Sequence, residues 1–203
     1  MDKYDVSGGI SVQEIEIEYK VLLTKEQYEK LETAFPFPKI PFKQVNHYFE
    51  TDTFALKSHR SALRIREKEG KYTLTLKEVQ TEGILETHDK LTEEEFRSWI
   101  NGQVIPKENT SKRLRKLSVD LSKLKYFGSL TTERKTFSEG NIHYFLDKSF
   151  YHDKVDYELE IEAPNKEIGL KVFQSILEQY EIERKKPITK IERFFTALMN
   201  NNS

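Results

Sequence analysis

Glu14, Glu16, Glu18 and Lys20 stand at alternate positions near the N-terminus, with only Ile15, Ile17 and Tyr19 between them. Side chains switch faces at every residue of a β-strand, so this segment would present carboxylates and an ammonium on one face and apolar groups on the other. Carboxylates spaced roughly 7 Å apart along one face repel each other unless something cationic lies against them. The same sorting recurs downstream. Arg64 and Arg66 alternate with Leu63 and Ile65, and Thr73, Thr75 and Lys77 with Leu74 and Leu76. Glu158, Glu160 and Glu162 alternate with Tyr157, Leu159 and Ile161, Arg134 follows Thr132 on one face, and Asp147 interrupts the apolar Tyr144-Phe145-Leu146. A solvated face of an antiparallel sheet also alternates without any function. Here, however, the charges are sorted, with acids in the first and last segments and Arg or Lys in several between. Guanidinium groups grip phosphate oxygens in pairs, ammonium groups act as compact charges, and carboxylates are hard donors for Mg²⁺ or Mn²⁺. A polyanion held together with a divalent cation is the chemistry these types serve jointly.

Strands must carry those residues, and strict alternation predicts eight of them, near 12–23, 43–51, 61–69, 71–79, 82–90, 125–137, 141–149 and 154–163. Glu69-Gly70-Lys71 and Glu139-Gly140-Asn141 supply short glycine turns of the antiparallel hairpin kind. Helices are predicted at 24–34 and 92–101, opened by the capping patterns Thr24-x-x-Gln27 and Thr92-x-x-Glu95, and at 166–181. Pro106 to Leu124, with Lys112, Arg113, Arg115 and Lys116, reads as a connection carrying a helix. Eight antiparallel strands can close into a barrel, which removes unpaired edges. If the apolar faces meet helices outside, the charged faces point inward. Inward charge is costly unless something fills the space between.

Composition narrows the alternatives. The chain has 203 residues, 36% hydrophobic and 12% aromatic, enough for a single domain with a sizeable core, expected over 11–196 with frayed ends at 1–10 and 197–203. With 33 Lys and Arg against 34 Asp and Glu, no overall basic field argues for nucleic acid. There is no cysteine, hence no disulfide, thiolate metal site or cysteine nucleophile. The N-terminus lacks the apolar core of a signal peptide, and no run approaches the roughly 18 apolar residues of a membrane span, so a cytoplasmic protein without membrane partners is expected. His47, His59, His88, His143 and His152 lack zinc-site spacing and read as structural.

The ordered set, Glu16-x-Glu18-x-Lys20, paired arginines, a lysine strand, a central arginine, an aspartate and a late Glu-x-Glu strand, resembles the CYTH superfamily, the triphosphate tunnel metalloenzymes. The resemblance runs from Val12 to about Phe195. It is most like the small bacterial YjbK-type members, through Leu146-Asp147 leading into Asp156-Tyr157-Glu158-Leu159-Glu160-Ile161-Glu162. It implies an eight-stranded antiparallel barrel with helices outside, acting as a divalent-metal-dependent triphosphatase using Mg²⁺ or Mn²⁺. Inorganic tripolyphosphate leads as substrate, followed by thiamine triphosphate and nucleoside triphosphates. An adenylate cyclase and a non-enzymatic triphosphate-binding module are the alternatives.

The resemblance further implies that Glu16, Glu18 and Lys20 form the catalytic motif. Glu16 and Glu18 would face a metal with Asp147 and with two of Glu158, Glu160 and Glu162; which two stays open, Glu160 and Glu162 being favoured. Lys20, Arg64, Arg66, Lys77 and Arg134 resemble the phosphate-binding wall, joined by Lys190 and Arg193 from the C-terminal segment. The partner is then a small triphosphate, with the protein a monomer or a homodimer.

Overall fold

A computed structural model of the chain describes residues 12–185 and 188–201, so the expectations for 1–10 and 202–203 fall outside the described residues. In chain order the elements are β1 (Gln13–Glu16), β2 (Glu18–Leu23), α1 (Lys25–Ala34), β3 (Phe42–Glu50), α2 (Ala55–Ser58), β4 (Ser61–Lys68), β5 (Lys71–Val79) and β6 (Ile84–Leu91). Then follow α3 (Glu93–Ile100), α4 (Glu108–Lys116), a 3₁₀ turn at Leu121–Lys123, β7 (Lys125–Glu139), β8 (Ile142–Tyr151), β9 (Lys154–Glu162), α5 (Lys166–Gln179) and α6 (Lys190–Asn201).

The strands form one sheet in the order β1-β6-β5-β4-β3-β7-β8-β9-β2. Its first and last strands, β1 and β2, are consecutive in the chain with Ile17 alone between them, which is the connectivity of a barrel. The expected class, an antiparallel barrel with helices, is therefore borne out, with nine strands instead of eight. The difference lies at Ile17. The expected strand 12–23 changes partner there, Gln13–Glu16 pairing with β6 and Glu18–Leu23 with β9, while the Ile17 carbonyl accepts from the Ala163 amide at 3.0 Å. Gly83 allows the close approach on the β6 side, because a Cβ there would meet the Glu16 carbonyl oxygen and the Ile15 side chain. Gly83→Ala is accordingly expected to lower unfolding free energy by about 1–3 kcal/mol, measured by denaturant titration, since backbone must shift to admit the methyl.

Two compact units divide the chain. One holds the described residues up to Glu16 together with Val45–Ser129; the other holds Ile17–Gln44 and the described residues from Leu130 onward. In the first, the apolar faces of β3 to β6 (Phe49, Leu63, Ile65, Leu74, Leu76, Leu91) pack with Leu56, Trp99 and Leu114 from α2, α3 and α4. The β4–β5 turn sets Glu69 and Gly70 at φ 51° and 71°, the left-handed pair that a two-residue hairpin turn requires. Thr92 and Glu95 close the expected capping box on α3. Helix α4 has no side-chain cap of its own. Instead the buried Asp89 carboxylate of β6 accepts from the Asn109 and Thr110 amides at 3.3 and 2.7 Å and from the Thr110 hydroxyl at 2.8 Å. Arg113 of the same helix donates twice, at 2.8 Å each, to the buried Glu78 of β5.

In the second unit, Val21, Leu23, Tyr144, Leu146, Leu159 and Ile161 from β2, β8 and β9 pack with Tyr28 and Leu31 of α1 and Phe173, Ile176 and Leu177 of α5. The capping box of Thr24 and Gln27 opens α1, as its spacing predicts, and the Asn165 side chain caps α5. Two helices went unpredicted. The four-residue α2 is held from outside its own sequence, since the buried Glu50 carboxylate accepts from the Leu56 and Lys57 amides. In α6, Phe194 and Ala197 turn into the core at helical spacing. Among the described residues, no helix is long and apolar enough to cross a membrane.

Candidate functional site

Each unit carries a charged cluster on the sheet face opposite the helices of its apolar core, α2, α3 and α4 in the first and α1 and α5 in the second. In the first, the antiparallel ladders set Glu14 opposite Glu86, Lys77 opposite Glu86, and Arg64 opposite both Tyr48 and Thr75. Lys77 Nζ donates to Glu16 Oε2 at 3.0 Å and also contacts Glu86. Arg66 Nε donates to Asn46 Oδ1 at 3.2 Å. Arg64 differs: its nearest ion pair, with Glu86 Oε1, stands at 4.0 Å, and its buried Nε has no acceptor among the described residues. Burial alone would raise the pKa of Glu86, but Lys77 and Arg64 outweigh it and hold the carboxyl at about 2. His88, which sequence spacing left as structural, is buried with its Nε2 3.3 Å from Glu14 and 3.4 Å from Glu86, while Nδ1 lies 3.0 Å from the Thr75 hydroxyl.

In the second unit, a row across the sheet sets Arg134 of β7 opposite Asp147 of β8, and Asp147 opposite Glu158 of β9. A parallel row sets Lys20 of β2 opposite Glu160, and the next sets Glu18 opposite Glu162. Lys20 contacts Glu18. Arg134 donates bidentately to Asp147 at 2.7 Å per bond, reaches Glu160 at 3.3 Å and lies 4.4 Å from the Phe145 ring centre. Helix α6 adds two cations. Lys190 Nζ donates to Asp147 Oδ2 at 2.7 Å and contacts Glu158. Arg193 donates to Asp156 at 2.7 Å and to Glu158 at 3.0 Å. Asp147 is fully buried, which by itself would raise its pKa; Arg134 and Lys190 outweigh burial and hold it below the ordinary aspartate range. The same carboxylates, against the opposing effect of burial, raise the pKa of Lys190 and keep it charged.

The expected residues are thus distributed. Glu16, Arg64, Arg66 and Lys77 gather in one unit, and Glu18, Lys20, Arg134, Asp147, Glu158, Glu160, Glu162, Lys190 and Arg193 in the other. Asp147, Glu158 and Glu160 each bring an oxygen within 4.8 Å of the others, an all-oxygen set of the kind hard divalent ions take. Glu14, Glu86 and His88 form a second such group, with one imidazole. Sequence reasoning passed over Glu86, His88 and Asp156. Strand β6 hides its sided pattern, since Thr87 and Asp89 on its other face are polar and buried too. Asp156 lies on the face of Glu158 and Glu160, so the alternation already contained it.

Comparison with known proteins matches this arrangement to one family. The family profile described as the CYTH domain matches residues 14–195. The YjbK protein of Bacillus subtilis (strain 168), named as a candidate triphosphatase, is 44% identical over 186 residues, covering 90% of this chain and 95% of its own. A Bacillus halodurans crystal structure described as a candidate adenylate cyclase superposes with a TM-score of 0.87 at 39% identity, covering 91% of this chain and all of that one. A Hippeastrum protein, described as a candidate adenylyl cyclase with dominant triphosphatase activity, shares the fold at a TM-score of 0.74 and 22% identity, over 90% of this chain and 96% of its own. With profile, sequence and superposition all in agreement, the chain belongs to the CYTH domain family.

Proposed function

We propose that the protein is a divalent-metal-dependent hydrolase of triphosphates, with inorganic tripolyphosphate as first substrate and thiamine triphosphate and nucleoside triphosphates after it. The observation that carries the reading is Arg64, a guanidinium among cations on a charged sheet face whose buried Nε has no acceptor among the described residues. An unsatisfied buried donor costs about 1–3 kcal/mol, which an incoming phosphate oxygen would offset. The name of the Bacillus subtilis relative supports the same reading.

Arg64, Arg66 and Lys77 in the first unit, and Lys20 and Arg134 in the second, are each proposed to bind phosphate oxygens and neutralise charge growing on the leaving phosphate. Asp147, Glu158 and Glu160, with Glu18 and Glu162 of the same unit, would hold the ion, and the all-oxygen donor set fits Mg²⁺ or Mn²⁺. Such an ion, when bound, neutralises phosphate oxygens and lowers the pKa of coordinated water. A carboxylate would orient the attacking water and take its proton. The bond from the terminal phosphorus to its bridging oxygen breaks, and orthophosphate and diphosphate leave.

A second reading follows from the Bacillus halodurans relative, described as a candidate adenylate cyclase. There the ribose 3′-hydroxyl attacks and pyrophosphate leaves. Product analysis separates the two. With tripolyphosphate, thiamine triphosphate and ATP, each with Mg²⁺, Mn²⁺ or a chelator, orthophosphate release abolished by the chelator is the expected result. Cyclic AMP from ATP would overturn it in favour of the cyclase, and binding without turnover would favour a binding module.

A further inference from the structure

We infer that Lys190 is an internal stand-in for the divalent cation: its ammonium and the ion take the same three carboxylates, Asp147, Glu158 and Glu160, and exclude each other, so that loading the ion reseats helix α6. The inference rests on the metal dependence proposed above.

The ammonium donates to Asp147 at 2.7 Å, contacts Glu158 and lies 3.9 Å from Glu160. Those are the three residues whose oxygens converge within 4.8 Å. A small divalent ion sits about 2.0–2.1 Å from each oxygen it binds. An ammonium already touching two of the three carboxylates leaves that volume filled, and like charges at such separation repel strongly. Both cations cannot be seated together.

Arg134 also contacts Asp147 and Glu160, but it approaches from the neighbouring strand β7 and takes its two aspartate oxygens side by side. Lys190 has a different attachment, as the first residue of α6. Its long stem lets the ammonium move away, and what moves with it is the start of a helix. Arg193, one turn on, holds the other oxygen of Glu158, Asp156 and the Ile188 carbonyl. Evicting Lys190 therefore removes one ionic attachment at the N-terminal end of α6 and disturbs the Glu158 carboxylate that Arg193 shares. Competition is reciprocal by linkage: what weakens the seat of Lys190 strengthens metal binding, and the reverse.

The test uses the full chain without substrate. Mn²⁺ is titrated by calorimetry, and hydrogen exchange of peptides covering α6 is followed by mass spectrometry. In the wild type, saturating Mn²⁺ is expected to speed exchange across the first turns of α6, while Na⁺ at matched ionic strength does not. Lys190→Met is expected to bind Mn²⁺ about tenfold or more tightly, because the site is no longer self-occupied, and Lys190→Arg to stay near the wild type. Unchanged α6 exchange at saturating Mn²⁺, or Mn²⁺ affinity in Lys190→Met within twofold of the wild type, overturns the inference. Should Lys190→Met fail to fold, the wild-type exchange experiment decides alone. Metal-dependent hydrolysis with a silent α6 sinks only this inference; absence of Mn²⁺ binding sinks it together with the metal dependence.

Discussion

In Arg64→Ala, kcat/KM for tripolyphosphate is expected to fall by about two orders of magnitude or more, with the thermal unfolding midpoint little changed or raised. Two orders of magnitude correspond to about 2.7 kcal/mol of lost transition-state stabilisation, the scale of one well-placed donor in a water-poor site. The asymmetry between activity and stability follows from what Arg64 touches. Arg134 is locked by two bonds to Asp147 and Arg66 is bonded to Asn46, whereas Arg64 stands 4.0 Å from its nearest acid with a buried Nε unsatisfied. Its removal thus takes little from the fold. Calorimetry should show tripolyphosphate binding weakened by roughly 2 kcal/mol, about thirtyfold. Arg64→Lys should recover only part, because an ammonium cannot donate two parallel bonds to one phosphate. A kcat/KM within threefold of the wild type would remove Arg64 from the phosphate wall.

The opposite balance is expected of Asp147→Asn, which should lower unfolding free energy by about 3 kcal/mol or more at pH 7. Asp147 is fully buried and answers two cations, Arg134 and Lys190, whose charges remain when its own is removed. Adding Arg134→Met to that variant should cost far less than in the wild type, since neither partner is then left stranded; a double-mutant cycle reads the coupling. The pH dependence has a definite sign. The folded pKa of Asp147 is depressed, so its contribution is complete above the unfolded value of about 3.9 and is lost as pH falls through the lower folded value. The stability gap between wild type and Asp147→Asn should therefore narrow in denaturant titrations taken from about pH 5 towards pH 2. A gap independent of pH would mean that shape, not charge, holds Asp147 in place.

Much of this was legible from alternation alone, because each strand buries one face against helices and turns the other toward charged neighbours. Leu63, Ile65, Leu74 and Leu76 entered the core, while Arg64, Arg66 and Lys77 took the other face. Besides α2 and α6, three things were not legible, each for its own reason. The break at Ile17 depends on which strand accepts the chain next, and a period of two continues across a change of partner. Glu86 and His88 were masked because the opposite face of β6 is itself polar. The grouping of Glu158, rather than Glu162, with Asp147 and Glu160 comes from the register of β8 against β9, which composition does not encode.

The borrowed cap of α4 reaches further than the helix it opens. Asp89 faces α4 on one side of β6, and Glu86 meets Lys77 on the other. A one-residue slip in strand pairing exchanges the two faces of a strand. Such a slip would strand the first turn of α4 and, in the same event, turn Glu86 away from its lysine. By gripping Asp89, the helix proofreads the alignment of the strand beneath it, so fidelity of the charged face is enforced from the helix-covered side.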